Sequence, residues 1–202
     1  AYYANRRAEE HFRLGQEDLR RHFPLPRVLD GLFSLAERLY GIRVKEIPTR
    51  QSLSGTPAGE SAGAVEVWHP DVRFFTIDDS NGDRLGSFYL DIFSRSNKRA
   101  GAWMNTLDTS SPSTPETPGK PRLGMVCLNI HPPSAGDTVT LSHREVRTLF
   151  HEFGHLLHLM FTRVSIPSLA GTSVPRDFVE VPSQFMENWC WWPDVLKSFA
   201  RH

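Results

Sequence analysis

Apolar residues recur every three or four positions through the first forty residues, which is the period of an amphipathic helix. Two charged pieces, Arg6 to Leu14 and Gln16 to His22, precede two prolines that break the pattern. A more regular helix is predicted over Arg27 to Tyr40, where a glycine follows the last apolar position. The pattern therefore predicts a helical region over 1–43. A stretch of Ser, Gly, Thr, Ala and Pro over 50–63 then predicts a loop.

The pattern changes to β-branched and aromatic residues over 64–131, which predicts a sheet region. The segment Asp79-Ser-Asn-Gly-Asp83 has the composition of a hairpin turn and predicts antiparallel pairing on either side. Four prolines and many Ser and Thr residues predict a second loop over 108–121. Four strands are predicted: Asp71 to Ile77, Arg84 to Phe93, Ala102 to Leu107 and Arg122 to Ile130.

Helical periodicity returns after the sheet region in two segments. Ser142-His-Arg-Glu145 is a capping box and begins a helix predicted over 142–162. A second helix is predicted over 176–192, in which Pro182 must lie in the first turn or kink the helix. Helices, a small and mostly antiparallel sheet, and two further helices predict an α+β fold.

The composition excludes several classes of function. The chain has 23 Lys and Arg residues against 23 Asp and Glu residues, so no basic field favours nucleic acid. No run of 18 apolar residues could span a bilayer. Cys127 and Cys190 lack metal-ligand spacing and predict reduced thiols of a cytoplasmic protein, with one disulfide or an upstream targeting segment as open alternatives. We expect a monomer that binds neither nucleic acid nor membrane.

The segment His151-Glu-Phe-Gly-His155 lies inside the helix predicted over 142–162. At 3.6 residues per turn the two histidines lie about 40° apart around the axis, so both imidazoles can bind one Zn²⁺. Glu152 lies about 100° from His151, where it can take a proton from a zinc-bound water. The alternative is two surface histidines beside a solvated glutamate.

A hydrolytic zinc site needs a third protein ligand, and three downstream positions are candidates. His158 shares the helical face but lies about 4.5 Å beyond His155 along the axis, which favours a packing or supporting role. A histidine six residues after His155 would complete the metzincin pattern, but Phe161 occupies that position. Glu180, on an antiparallel neighbouring helix, would complete a His₂Glu site.

Three polar residues share the helical face of Glu180, at spacings of three, four and seven positions. They are candidate hydrogen-bond partners of the ligating imidazoles. These residues are Ser183, Gln184 and Glu187. For Gln184 and Glu187 the alternative is a solvated or capping role.

Several segments together resemble one known family. His151 to His158, Gly171 to Val174 and Asp177 to Trp189 closely resemble the thimet oligopeptidase and oligopeptidase A family of zinc metallopeptidases. Upstream, the segments Val67 to Val72 and Lys98 to Met104 are similar to the bacterial oligopeptidase A branch. The resemblance covers nearly the whole chain apart from the two predicted loops.

The resemblance implies a zincin-like fold of the gluzincin type, with the chain 1–202 as a fragment of a single metallopeptidase catalytic domain. It implies His151, His155 and Glu180 as ligands of one Zn²⁺ per chain, and Glu152 as the general base. Arg176 matches an arginine of some family members, and its role is left open.

The implied activity is hydrolysis of peptide bonds in short oligopeptides. The substrate would lie antiparallel to an edge strand, either Arg122 to Ile130 or Lys98 to Leu107. Family members are much longer, and a downstream segment supplies tyrosine and histidine donors to the developing oxyanion. Here every tyrosine precedes the motif, and only His202 follows His158 among the histidines. This predicts weak or absent catalysis by the chain alone, with a non-catalytic or truncated metal-binding relative as the alternative.

Overall fold

Helices lie on one face of a central sheet in the computed structural model, which describes residues 19–51, 63–109, 121–133, 137–164 and 166–201. The helix predicted over Arg6 to Leu14 and most of both predicted loops lie outside the described residues. The elements are α1 (Leu25–Tyr40), β1 (Arg43–Ile47), β2 (Thr49–Gln51), β3 (Val65–Val67), β4 (Arg73–Asp78), β5 (Arg84–Phe93), β6 (Trp103–Asp108), β7 (Arg122–Ile130), α2 (His143–Met160), α3 (Arg176–Val179), α4 (Val181–Asn188) and α5 (Pro193–Phe199).

The main sheet has five strands in the order β1-β4-β5-β7-β6. The β1–β4, β4–β5 and β6–β7 pairs are antiparallel and the β5–β7 pair is parallel, so the sheet is mostly antiparallel, as predicted. The chain leaves β5, forms β6 at the edge, and returns as β7 between them. The prediction that Arg122 to Ile130 could be an edge strand is therefore wrong, and β6 is the edge strand on that side.

The helical region predicted over 1–43 ends earlier than expected. α1 stops at Tyr40, where Gly41 adopts a left-handed conformation with φ 67°. Arg43 already belongs to β1, which pairs with β4 along its whole length. β1 was missed because it is an edge strand with mostly exposed side chains, and so it lacks the apolar run that predicts a strand. Arg50 also differs from its predicted loop, since it lies in β2, which pairs with β3.

An aromatic cluster joins the helices to the sheet. Phe33 of α1 lies 5.2 Å from Phe75 of β4 and 5.7 Å from Phe153 of α2, between ring centroids. Phe88 of β5 lies 5.1 Å from Phe75 and 6.0 Å from Phe153. Offset and edge-on contacts of this kind stabilise a core beyond simple burial. Phe153 thereby fixes the rotation of α2 and turns the opposite face of that helix away from the sheet.

A close approach of two backbones fixes the distance between α2 and α4. A Cβ atom added at Gly154 would lie 2.6 Å from both the carbonyl oxygen of Pro182 and the Cα of Ser183. Those atoms belong to the backbone of the first turn of α4 and cannot rotate aside. Glycine is therefore required at position 154 for the two helices to pack at this distance.

A buried ion-pair network holds the connection that leads from β5 to the edge strand β6. Asp91 of β5 accepts hydrogen bonds from Arg95 (2.8 and 2.6 Å), Lys98 (2.9 Å) and the indole of Trp68 (3.2 Å). Lys98 also donates to the backbone carbonyl of Leu128 in β7. Burial raises the pKa of Asp91, but the hydrogen bonds from Arg95 and Lys98 outweigh it and hold that pKa below its ordinary value.

Two further features concern the predicted environment of the chain. Among the described residues, none of the helices combines the length and apolar character that crossing a bilayer requires. Cys127 and Cys190 are both buried and unbonded, so the alternative of a disulfide between them is not realised. Burial raises the pKa of these thiols to about 11 and about 12, which keeps them protonated and unreactive at neutral pH.

Substituting Gly154→Ala should destabilise the fold by about 2 kcal/mol, because the added methyl group overlaps the backbone of α4. Helix propensity alone predicts the opposite, a gain of about 1 kcal/mol. The measurement is urea unfolding followed by circular dichroism. Gly124→Ala is the matched comparison, since its methyl group would also meet an atom at 2.6 Å, but that atom ends the flexible side chain of Leu156. A more stable Gly154→Ala variant would contradict the interpretation.

Substituting Asp91→Asn should lower the free energy of unfolding at pH 7 by about 3 kcal/mol, because Lys98 would remain buried without its counter-ion. A carboxyl whose pKa is lowered by folding stabilises the protein above its unfolded pKa of about 4 and loses that effect as the pH falls further. The difference between the two proteins should therefore shrink below pH ~4. The exposed Asp194→Asn serves as the control, with an expected change under about 0.5 kcal/mol.

Candidate functional site

The helix that carries the H-E-x-x-H segment begins at a fully formed cap. The Ser142 hydroxyl accepts a hydrogen bond from the Glu145 backbone (3.2 Å), and the Glu145 carboxylate accepts one from the Ser142 backbone (2.7 Å). This is the predicted capping box. The helix ends at Met160, two residues before the predicted end.

The predicted helix over 176–192 is interrupted at Glu180, the candidate third ligand. It is divided into α3, α4 and a short 3₁₀ turn over Trp189–Trp191, and Glu180 lies between α3 and α4. Pro182 lies in the first turn of α4, where its missing N–H costs no helical hydrogen bond. The Ser183 hydroxyl donates to the Glu180 carbonyl and carboxylate, both at 2.9 Å. The break in the helix thus allows the Glu180 side chain to project toward α2.

His151, His155 and Glu180 come together on the face of α2 that Phe153 turns away from the sheet. One carboxylate oxygen of Glu180, Oε2, lies 3.2 Å from the Nε2 atom of His151 and 3.2 Å from the Nε2 atom of His155. One potential ligand atom from each of the three residues lies within 4.8 Å of the other two. Within the described part of the chain these residues form the group that could hold a metal ion.

The hydrogen bonds behind His151 determine which nitrogen faces Glu180. Glu187 Oε1 lies 2.7 Å from His151 Nδ1, and the other Glu187 oxygen binds Arg147. Burial raises the pKa of Glu187, but the hydrogen bonds from Arg147 and His151 outweigh it and lower that pKa, so the carboxylate can only accept. His151 Nδ1 must therefore carry the proton. In the neutral ring the lone pair of Nε2 then points at a Glu180 oxygen, and two acceptors 3.2 Å apart repel unless a cation lies between them.

Two of the separations in this group fit zinc. Ligands held about 2.0–2.1 Å from a tetrahedral Zn²⁺ are separated from one another by about 3.3 Å, which is close to the two observed 3.2 Å separations. Burial lowers the pKa of His155 and so favours the neutral imidazole that a metal requires. The chemistry of two imidazoles and one carboxylate also suits a zinc site.

Glu152 lies beside this group but does not belong to it. The side chain is buried between α2 and the edge strand β6, with the Met104 backbone next to its carboxyl group. Burial raises the pKa of Glu152 above its ordinary value, aided by the negative charge of Glu180 and opposed by His151 and by the Met104 amide. A raised pKa brings the carboxyl closer to the range in which a group can both accept and return a proton.

The remaining candidates lie in different surroundings. His158 faces a cavity of about 390 Å³ lined by Tyr40 and Phe161 among others, and it is outside the metal group. Gln184 is exposed on α4, and among the described residues the hydrogen-bond partner of His151 is Glu187 instead. Arg176 is exposed at the start of α3, without an ion pair in the described residues. These placements favour a packing role for His158 and a solvated role for Gln184.

Two residues of the site were not among those predicted. Arg147 fixes Glu187 by an ion pair, and its position four residues before His151 places it on the same helical face, a spacing that could have indicated it. Met104 contributes only its backbone to the surroundings of Glu152, and no side-chain pattern predicts such a role.

Comparison with known proteins agrees with this arrangement. The model of one protein family, described as peptidase family M3, matches residues 1–202. The chain belongs to peptidase family M3. The family is one of metallopeptidases, as the resemblance implied, and a group of two histidines and a glutamate that could hold a metal is what such a family requires.

The curated relatives carry the names of oligopeptidases and related peptidases. Oligopeptidase A of Escherichia coli is 42% identical over 203 residues, which is all of this chain and 28% of that protein. The organellar oligopeptidase A of Arabidopsis thaliana is 41% identical, with 24% of its length covered. The dipeptidyl carboxypeptidase of E. coli is 40% identical, with 27% covered. The chain therefore spans about a quarter of the length of these relatives.

Substituting Glu187→Gln should weaken Zn²⁺ binding by about 10- to 100-fold, because a neutral amide no longer holds the Nδ1 proton of His151 as firmly. The affinity is measured by competition with a chromophoric chelator. Gln184→Ala, on the same helix but exposed, is the control and should bind Zn²⁺ like the unsubstituted chain. Equal affinities for the two variants would remove Glu187 from the site.

Proposed function

We propose that this chain carries the zinc-binding and proton-transfer residues of an endopeptidase that hydrolyses peptide bonds in short oligopeptides. The observation that carries the proposal is the pair of imidazole nitrogens that face one Glu180 oxygen at 3.2 Å while Glu187 occupies the far side of His151. Such an arrangement is electrostatically satisfied when a cation is bound. Membership of a metallopeptidase family supports the same conclusion.

In this proposal His151, His155 and Glu180 hold one Zn²⁺ per chain, and the fold is a zincin of the gluzincin type. Bound there, Zn²⁺ supplies Lewis-acid polarisation of the scissile carbonyl and increases the acidity of the attacking water. Glu187 keeps His151 in the tautomer whose Nε2 is free to ligate, and Ser183 orients the Glu180 carboxylate. These contacts hold His151 and Glu180 in position before an ion arrives.

Glu152 performs the proton transfers. Its carboxylate accepts a proton from the attacking water as the new carbon–oxygen bond forms, and it returns that proton to the leaving nitrogen as the carbon–nitrogen bond breaks. Burial between α2 and β6 excludes bulk water from the carboxylate, which strengthens its interaction with the reacting groups.

The edge strand β6 provides a surface for the substrate backbone. β6 pairs with β7 on one side, and within the described residues no strand pairs with its other side. Its Met104 lies beside Glu152, so a peptide paired with β6 would pass the proposed base. Binding through main-chain hydrogen bonds accepts many side chains, which suits an enzyme for varied short peptides.

The alternative is a metal-binding chain without catalysis, and one observation favours it. The chain spans about 28% of the length of oligopeptidase A from E. coli, and the rest of that protein lies outside the matched region. The predicted cytoplasmic location and monomeric state stay predictions, since the relatives carry both organellar and cytosolic names.

Substituting Glu152→Gln separates the two functions. Hydrolysis of a quenched fluorescent peptide by the zinc-loaded chain should fall by about 10²- to 10⁴-fold, while Zn²⁺ affinity should change little, because Glu152 is not a proposed ligand. A chelator should abolish hydrolysis by the unsubstituted chain. If the unsubstituted chain binds Zn²⁺ but hydrolyses no peptide, the non-catalytic alternative is correct for this chain.

A further inference from the structure

Two arginines extend the helical face of α2 that carries His151. Arg144 and Arg147 lie seven and four residues before His151, so all three side chains point in similar directions. Together with Thr148 and Glu187 they line a pocket of about 260 Å³ that adjoins His151. The pocket therefore shares His151 with the proposed metal site.

Of the two arginines in this pocket, only Arg147 is paired with a carboxylate among the described residues. Arg147 is committed to the ion pair with Glu187 and lies over the ring of Trp191, 5.7 Å from its centroid. Arg144 is exposed and has no ion pair within the described residues. The two arginines and one carboxylate give the pocket a net positive charge, which attracts an anionic group.

The sheet topology sets the direction in which a substrate would approach the pocket. Gly124, near the start of β7, lies against Leu156 in the second half of α2, and Gly86, which pairs with Arg122 at the start of β7, lies against Met160 at the helix end. α2 thus runs opposite to β7, and β6, which is antiparallel to β7, runs in the same direction as α2. A peptide antiparallel to β6 then runs opposite to α2. Its C-terminal side leads from the catalytic centre toward the beginning of α2, where the arginines lie.

The distances along the helix indicate how far beyond the scissile bond the pocket lies. With a rise of 1.5 Å per residue, Arg147 lies about 6 Å and Arg144 about 10 Å from His151 along the axis. An extended peptide advances about 3.3–3.6 Å per residue. The pocket is therefore two or three residues past the scissile bond.

We propose that the pocket formed by Arg144, Arg147 and Thr148 binds a peptide carboxylate located two or three residues after the scissile bond. The carboxylate belongs either to the C-terminus of a short substrate or to an acidic side chain at that position. The assignment rests on the proposed function, because it takes the polarity of the substrate from the pairing with β6.

The test measures the affinity of the zinc-loaded Glu152→Gln chain for three peptides of the same sequence by isothermal titration calorimetry. The first ends in a free carboxylate two residues after the site of cleavage, the second in an amide, and the third ends in an amide but carries Glu at that position. The peptides with a carboxylate should bind about three- to tenfold more tightly than the neutral one, and the preference should diminish with added salt. The first and third peptides distinguish the two sources of the carboxylate.

Adding Arg144→Gln should reduce the preference for a carboxylate to about one, whereas Arg27→Gln, an exposed arginine of α1 far along the chain, should leave it unchanged. Equal affinities for charged and neutral peptides, retention of the preference in Arg144→Gln, or no binding of any peptide would each overturn the proposal. A preference that persists although the chain with Glu152 hydrolyses none of the peptides would reject the proposed function and leave the carboxylate site standing.

Discussion

The contact between Gly154 and the first turn of α4 determines the geometry of the site. With no side chain at position 154, the backbone of Pro182 and Ser183 approaches α2 closely enough for Glu180 to reach both imidazoles. On the other side of the same helix, Phe153 is fixed among the aromatic rings of α1 and the sheet. Neighbouring residues of one motif thus set the rotation of α2 and its distance from α4, and the ligand positions follow from these two constraints.

The electrostatic arrangement around His151 depends on having two carboxylates with different tasks. Glu187 is neutralised by Arg147 and accepts the Nδ1 proton of His151, whereas Glu180 faces the Nε2 atoms of both imidazoles and accepts a hydrogen bond from Ser183. A half-buried carboxylate that faces the lone pair of His151 Nε2 is unfavourable unless a cation lies between them. The same arrangement of one carboxylate and two imidazoles favours the binding of a cation.

The sequence could predict those features that depend on the pattern of residues within one segment. β5 and β7 have the predicted bounds because each is an apolar run with turn residues at its ends, and the capping box of Ser142 is local as well. β1 was missed because an exposed edge strand carries no apolar pattern. The break at Glu180 and the interior position of β7 were also missed, since both depend on contacts between segments distant in sequence. For the candidate site, the spacing of His151 and His155 placed both on one helical face, but the role of Arg147 required knowledge of where Glu187 lies.

The parallel pairing of β5 with β7 has a consequence for the direction of any bound peptide. Parallel neighbours cannot be joined by a tight turn, so the chain must cross between them, and here the crossing segment includes β6 at the outer edge. Because β6 then pairs antiparallel to β7, its direction matches that of α2. A peptide antiparallel to β6, on the side where no described strand pairs, would have one orientation relative to the histidines. In the proposed binding mode, the N-terminal half of α2 therefore faces the C-terminal side of the peptide. If that proposal is correct, charges on this half of the helix, such as that of Arg144, select among peptides without any change in the proposed metal ligands or base.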